Sequence, residues 1–339
     1  MNPRLAWSAS LSLLALLLSL SAMFGAVRFS PLQIWSSMAD ALGGGVPGEG
    51  TNSAWMHRII LDLRLPRGLL AVCVGAGLAV VGVLLQPVTR NDLADPFLFG
   101  LSSGAAAGAV AVMTMAGEQF GLWTLPMAAF AGAMASALGV LLLLARGEGR
   151  APERMVLAGL SVSFLFSALT HYLIFAGDQR AAHSVLFWTL GGLGLARWEN
   201  LPLAGLGLAL VTAYALWRSA ALDALLGGEE AAFSLGINPE RLRVEVFGVC
   251  ALASACFVAL TGVIGFIGLM VPHLARGLAG ALHRGVLWFS ALLGAVLLVA
   301  SDLASRVILA PQELPVGIVT GSLGAVFVMA WLFRAKVAA

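Results

Sequence analysis

Residues 64–85 read RLPRGLLAVCVGAGLAVVGVLL, a stretch that is apolar for long enough to cross a lipid bilayer. A spanning helix needs about 20 mostly apolar residues, because the hydrocarbon core of a bilayer is about 30 Å thick. The same criterion predicts spans near residues 5–27, 64–85, 97–115, 121–145, 154–176, 201–217, 243–262, 264–279, 286–309 and 316–334. The sequence therefore predicts an all-α polytopic membrane protein, a single domain over residues 1–339 with about ten transmembrane helices.

The composition also indicates a chain that is solvated mainly by lipid. Of its 339 residues, 60% are hydrophobic and only 11% are charged, and the mean hydropathy is +0.95. Soluble domains are about 25% charged, so this chain has too little charge to cover a water-facing surface. The net charge of +2 and the scattered basic residues do not favour a nucleic-acid partner. Cys73, Cys250 and Cys256 lie within apolar runs and show no pairing pattern.

The distribution of basic residues predicts the orientation in the membrane. Most of the 19 lysines and arginines fall in segments that are cytoplasmic if the N-terminus is inside, as the positive-inside rule requires. We therefore expect both termini to be cytoplasmic. Arg64, Arg67 and Arg306 are among the exceptions on the outer side. Residues 181–196 are apolar but too short to span, which predicts a re-entrant or surface helix on that side.

Four stretches in fixed order bear on function. They are RLPR at 64–67 with GAGLA at 75–79 and QPVTRNDLADP at 86–96, LGGEEAAFSLGIN at 226–238, GFIGLMVPHLAR at 265–276, and ELPVGIVT at 313–320. In order and spacing they resemble the permease family of iron-siderophore, haem and vitamin B12 importers, the FecCD-type or type II ABC importers. The resemblance extends from about residue 55 to residue 334.

The resemblance implies a type II ABC importer permease fold and a particular set of partners. Such permeases pair as homodimers around a central pathway, two cytoplasmic ABC ATPase subunits drive them, and a periplasmic binding protein delivers the cargo. The chain contains no GxxxxGK[ST] loop, so a separate ATPase subunit would use ATP and Mg²⁺. We therefore expect a non-enzymatic subunit of the bacterial inner membrane without its own cofactor, which imports a ferric siderophore, haem or cobalamin.

The resemblance places Arg64, Arg67 and Arg306 at the periplasmic mouth, where they would dock acidic residues of the binding protein. Guanidinium groups suit this role because they hold carboxylates bidentately and stay charged. The alternative is pairing within the chain, since Asp302 lies four residues before Arg306 on one helix face.

Two cytoplasmic stretches carry further residue predictions by resemblance. Residues 222–240 would form the coupling segment that contacts the ATPase, unless they are an ordinary solvated loop; the length of the connection favours the coupling role. The predicted ATPase contacts are Glu229, Glu230, Ala231, Ala232, Leu235 and Gly236. Asn91 and Leu93 fall on the positions of a cytoplasmic gate, with Asp92 where the family usually has proline. The alternative there is a simple turn that caps the third helix.

His171 lies in the middle of the fifth predicted span, where an ionisable side chain usually faces a bundle interior or a cavity. It would either contact the cargo along the pathway or be a buried histidine with its hydrogen bonds satisfied. The sequence has no HxxxH or HExxH array that would predict a metal site. An ion-coupled secondary transporter is the alternative function, but it needs intramembrane carboxylates, and Asp302 is the clearest one here.

Overall fold

The computed structural model describes residues 3–25, 27–42, 51–116, 121–146, 152–177 and 179–337, and these ranges contain helices and no strands. The helices are α1 (Pro3–Met23), α2 (Pro31–Leu42), α3 (Thr51–Arg58), α4 (Leu65–Thr89), α5 (Leu101–Ala111), α6 (Thr124–Ala145), α7 (Pro152–Ala176), α8 (Gln179–Thr189), α9 (Leu201–Leu226), α10 (Glu229–Ser234), α11 (Pro239–Thr261), α12 (Ile267–Ala279), α13 (His283–Val307) and α14 (Val316–Val337). The predicted all-α class is confirmed.

Eight helical stretches of the described residues are long and apolar enough to cross a membrane. They are Leu5–Met23, Trp55–Thr89, Gly121–Ala145, Pro152–Ala176, Leu201–Leu226, Pro239–Thr261, His283–Val307 and Val316–Phe333. The third and eighth predicted spans are instead the shorter helices α5 and α12. Both begin late because the preceding backbone turns sharply, with a positive φ at Gly100 before α5 and at Phe266 before α12.

The sixth span is longer than the sequence suggested. The prediction ended it at residue 217, whereas α9 continues to Leu226 and leaves only residues 227–238 before α11. The helix continues past its polar residues Arg218 and Asp223, because both have partners on neighbouring helices. The Arg218 guanidinium is hydrogen bonded to Glu245 of α11, and Asp223 accepts the backbone N–H of His283 at 2.8 Å.

Helix α4 forms the centre of the bundle, and α9, α11, α12 and α13 pack around it. The helices approach closely where glycines face one another. A Cβ added to Gly75 would lie 2.3 Å from the carbonyl oxygen of Gly294, and one added to Gly104 would lie 2.5 Å from that of Gly132. Small residues drive helix packing in lipid, where burial of apolar side chains brings little gain.

Side-chain hydrogen bonds hold the start of α12. Pro272 has no N–H, so the carbonyl of Gly268 loses the donor that an α-helix normally supplies. The Gln86 Nε2 group of α4 takes its place, donating to the Gly268 oxygen at 3.1 Å and to the Leu269 oxygen at 3.2 Å. The first turn of α12 therefore depends on a side chain from the central helix.

Candidate functional sites at the two ends of the bundle

Apart from His171, the predicted functional residues lie near the two ends of α4. This helix has 25 residues, which corresponds to roughly 37 Å at 1.5 Å per residue. Arg64 immediately precedes α4, and Arg67 is its third residue. Arg306, in the last turn of α13, lines the same cavity. We call this the arginine end. Arg90 follows the last residue of α4 and pairs with Glu229 of α10, and we call this the α10 end.

A shared carboxylate organises the arginine end. Arg67 donates from Nε to Asp302 Oδ1 at 2.8 Å and from Nη1 to Glu313 Oε2 at 2.8 Å. Arg306 lies 2.8 Å from the other oxygen of Asp302, in an i, i+4 pair along α13. Asp302 is almost completely buried, so two guanidinium groups compensate its charge away from solvent. Pairing within the chain, the alternative to docking, is therefore observed for both Arg67 and Arg306.

Arg64 and Arg306 also cap the C-terminus of α1. Arg64 Nη1 donates to the carbonyl oxygens of Ala22 at 2.5 Å and Met23 at 3.0 Å. Arg306 Nη1 donates to the carbonyl oxygen of Phe24 at 3.0 Å. The last carbonyls of a helix have no donors within the helix, so these two guanidinium groups supply them. Their burial in this subunit thus has a structural cause.

The three arginines nevertheless meet in one open cavity. Arg64, Arg67, Arg306 and Glu313 line a space of about 280 Å³ at this end. The structure therefore brings together all three residues that were predicted to dock a binding protein, and that role stays a prediction. Sequence reasoning passed over exposed cations nearby, at Arg58 and Arg197. Both lie in segments that the predicted spans place on the outer side, where basic residues are exceptions to the positive-inside rule, and that was the available signal.

At the other end, a short helix projects between α9 and α11. Gly228 precedes α10 with a φ of 98°, and Gly236 follows it with a φ of 78°. Residues that carry a side chain rarely adopt this left-handed backbone conformation. Glycine at both positions therefore allows the chain to turn sharply into and out of α10. Asn238 then starts α11 by accepting the N–H of Arg241 at 3.0 Å. The alternative of an ordinary solvated loop is wrong here, because the segment contains a defined helix; the coupling role stays a prediction.

The predicted ATPase contacts differ in exposure. Glu230, Ala231, Leu235 and Gly236 are exposed, whereas Ala232 is fully buried and supports α10 from inside. The structure therefore removes Ala232 from the surface that a partner could touch. Phe233, which sequence reasoning missed, has 70% of its surface exposed. An aromatic residue between acidic residues and a glycine turn was the signal for it.

The turn at residues 91–93, which we call the gate turn after its predicted role, forms without the proline of the family pattern. Asn91 Oδ1 accepts the N–H of Leu93 at 3.0 Å, so the asparagine side chain fixes the turn. The cap of the following 3₁₀ turn is Asp95, whose Oδ1 accepts the N–H of Phe97 at 2.9 Å. Burial raises the pKa of the Asp95 carboxyl to about 6, against the opposing effect of its backbone hydrogen bonds. The side chain that caps the following turn is therefore Asp95 and not Asn91, and the gating role of Asn91 and Leu93 stays a prediction.

His171 is exposed on α7, next to exposed Tyr172 and close to exposed Phe175. Within this chain His171 is therefore not the buried histidine that the alternative expected. Its contact with a cargo stays a prediction. Among the described ranges, no group of three or more His, Cys, Asp or Glu residues could hold a metal ion.

Similarity to a solved structure defines the class. A metal-chelate type ABC transporter in an inward-facing conformation matches with a TM-score of 0.83 and 29% identity, covering 98% of this chain and 100% of that one. The chain thus has the predicted fold of a type II ABC importer permease. It is a multi-pass membrane protein and a transport subunit rather than an enzyme.

The FecCD transport family matches residues 13–334, and the chain belongs to this family. Among its relatives, the hemin transport permease HmuU of Yersinia pestis is 37% identical, over 98% of this chain and 96% of that protein. The Fe(3+)-citrate permease YfmE of Bacillus subtilis is 40% identical over 79% of each chain. The vitamin B12 permease BtuC of Vibrio vulnificus is 34% identical over 97% and 95%. The family works with ATPase and substrate-binding partners.

Proposed function

We propose that this chain forms the pathway by which an iron chelate, with haem as the first candidate, enters the cytoplasm across a bacterial inner membrane. The observation that carries the proposal is the end-to-end similarity to a hemin permease, at 37% identity over 98% of this chain. The α10 end faces the cytoplasm and the arginine end faces the periplasm in this proposal. The excess of basic residues in the α10-side segments supports that orientation.

The chain functions as a homodimer in this proposal, with the pathway between the two copies. Helix α14 packs on α12 and α13 but leaves large apolar side chains exposed, including Val326 and Met329. Helix α7 exposes Phe164, Phe175 and His171. Lipid or a second copy would cover such surfaces, and a dimer would place His171 on the pathway if α7 lines it.

The α10 end receives the ATPase. Phe233 and Leu235 are each 70% exposed, and Glu230 lies beside them at the surface. Two apolar side chains and a carboxylate on α10 and the residue after it fit an ATPase groove that has an apolar floor and a basic rim. Phe233→Ala should reduce co-purification of the ATPase without lowering thermal stability, because the side chain is mostly outside the fold. Unchanged co-purification would contradict this contact.

The arginine end receives the substrate-binding protein. Arg67 and Glu313 lie at the rim of the 280 Å³ cavity, while Arg64 and Arg306 fix the frame behind them. Exposed Arg58 and Arg197 add positive charge that would steer acidic groups on the binding protein. We propose no cofactor in this chain, since ATP and Mg²⁺ belong to the ATPase.

Reconstitution in liposomes tests the function. The permease is combined with its ATPase and binding protein, and ATP-dependent uptake of haem, a ferric siderophore, ferric citrate and cobalamin is measured in parallel. An ATPase variant that lacks the phosphate-binding lysine serves as the control. Haem uptake that requires both partners would support the proposal. Uptake that persists with the inactive ATPase would instead indicate an ion-coupled transporter.

Cobalamin is the second candidate cargo. The vitamin B12 permease of Vibrio vulnificus matches over 97% of this chain, almost as completely as the hemin permease does. Uptake of cobalamin alone in the parallel assay would replace haem as the cargo and leave the ATP-driven mechanism intact.

A further inference from the structure

The first residue of α10 faces the protein as well as the cytoplasm. The Glu229 side chain is 35% exposed. One of its carboxylate oxygens, Oε1, contacts two guanidinium groups. One belongs to Arg90 at 3.0 Å and the other to Arg243 of α11. Glu229 is thus engaged within the chain, whereas the neighbouring Glu230 is exposed.

Both arginines lead to the last turn of α4. Arg243 is 4% exposed, and its Nε donates to the carbonyl oxygen of Val88 at 2.9 Å. Arg90 is the C-cap residue that follows α4, and its backbone is left-handed, with a φ of 48°. The Glu229 carboxylate therefore fastens α10 to residues 88–90 at two points. A charge-assisted hydrogen bond such as that of buried Arg243 is about twice as strong as a neutral one, whereas the half-exposed Arg90 pair contributes less.

The gate turn begins at the next residue. Asn91 follows Arg90 directly, and its side chain fixes the turn through the N–H of Leu93. Asp92 at the middle of the turn lies 3.7 Å from Arg276 in the last turn of α12. A continuous set of ion pairs and backbone bonds thus runs from α10, through the end of α4, to the gate turn and α12.

We propose that Glu229 is a positioning residue that transmits the movement of α10 to the gate turn through Arg90 and Arg243. The proposal rests on the function proposed above, because it assumes that an ATPase moves α10 and that residues 91–93 form the predicted gate. It assigns Glu229 a role inside the permease, whereas the resemblance had suggested a contact with the ATPase. Glu230, Phe233 and Leu235 keep that contact role.

The test separates transmission from attachment. Glu229→Gln keeps the size of the side chain but removes the charge that holds both guanidinium groups. We expect the ATPase to co-purify at the wild-type ratio and to hydrolyse ATP, while uptake per ATP falls about fivefold or more. Glu229→Asp, which keeps the charge, should retain more uptake per ATP. Glu153→Gln, which removes an exposed carboxylate from the first turn of α7, is the control and should keep wild-type co-purification and wild-type uptake per ATP.

Uptake is measured for whichever of haem, ferric citrate and cobalamin the wild-type complex transports. Wild-type uptake per ATP in Glu229→Gln would overturn the proposal, and so would loss of the ATPase from that variant. If Glu229→Gln does not fold, Arg90→Gln replaces it, because Arg90 is half exposed and its loss opens no buried cavity. Unchanged uptake per ATP in Arg90→Gln would then overturn the proposal. A wild-type complex without ATP-dependent uptake would instead refute the proposed function, and this proposal with it.

Discussion

Replacing Gln86 by methionine should destabilise the subunit, because its side-chain amide donates the hydrogen bond to Gly268 that Pro272 cannot supply. The substitution keeps the length of the side chain and leaves the carbonyl oxygen of Gly268 without the donor at 3.1 Å. An unsatisfied buried carbonyl costs about 1–3 kcal/mol. Gln86 Oε1 has no hydrogen-bond partner among the described residues, so methionine also removes an unsatisfied acceptor. The net loss should therefore lie toward the lower end, about 1–2 kcal/mol.

The assay is thermal unfolding in detergent, followed by the fraction of protein that stays monodisperse after heating. A loss of this size should lower the midpoint by a few degrees, at about 2–4 °C per kcal/mol. Gln312→Met is the matched control, because Gln312 is exposed. Its midpoint should match that of the wild-type protein.

A second substitution shows whether the proline is the cause. Pro272→Ala restores a backbone N–H that can donate to Gly268, so it should be more favourable in the Gln86→Met background than in the wild type. The expected coupling is about 1 kcal/mol, within the range measured for residues that share a partner. Additive effects of the two substitutions, or a Gln86→Met protein as stable as the wild type, would refute the reasoning.

Two further pairs of substitutions, each a test and its control, probe the helix packing and the arginine end. Gly82→Ala should prevent correct assembly of α4 on α12, because the new Cβ would lie 1.9 Å from the backbone oxygen of Gly268; Gly205→Ala, which meets nothing within 4 Å, should give a normal yield of monodisperse protein. Asp302→Asn should cost about 3–5 kcal/mol, because it leaves two guanidinium groups without their shared carboxylate. Glu313→Gln at the exposed rim should cost less than about 1 kcal/mol. Equal thermal midpoints for the last two variants would contradict the role of the buried pair.

The sequence could predict the class of fold because lipid imposes a simple length criterion on apolar helices. The sequence could not predict where α9 ends. Polar residues such as Arg218 and Asp223 indicate the end of an apolar helix only if no neighbouring helix supplies a partner for them. Their partners are Glu245 and His283, which lie far along the chain. The short eighth span was predicted, but its start was placed at residue 264 instead of Ile267, because the non-helical backbone from Gly262 to Phe266 shows no break in apolar composition.

The resemblance could indicate which residues matter but not in which direction they face. Arg64, Arg67 and Arg306 were predicted as a group, and the structure brings them together in one cavity. Their partners inside the chain, the terminal carbonyls of α1 and the shared Asp302, follow only from the folded arrangement. Ala232 and Phe233 show the same limit, since adjacent positions on a short helix differ from fully buried to 70% exposed.

The few charges of this chain are concentrated at the ends of the helices, where they connect elements that lipid alone would not hold together. Asp302 joins α13 to α4 through Arg67, and Glu229 joins α10 to the end of α4 through Arg90. Each carboxylate lies beside a surface that a partner is proposed to touch. A loss of transport after substitution of such a residue is therefore ambiguous by itself. Only stability, partner binding and uptake per ATP, measured on the same variant, can distinguish a frame that has failed from a contact that is lost.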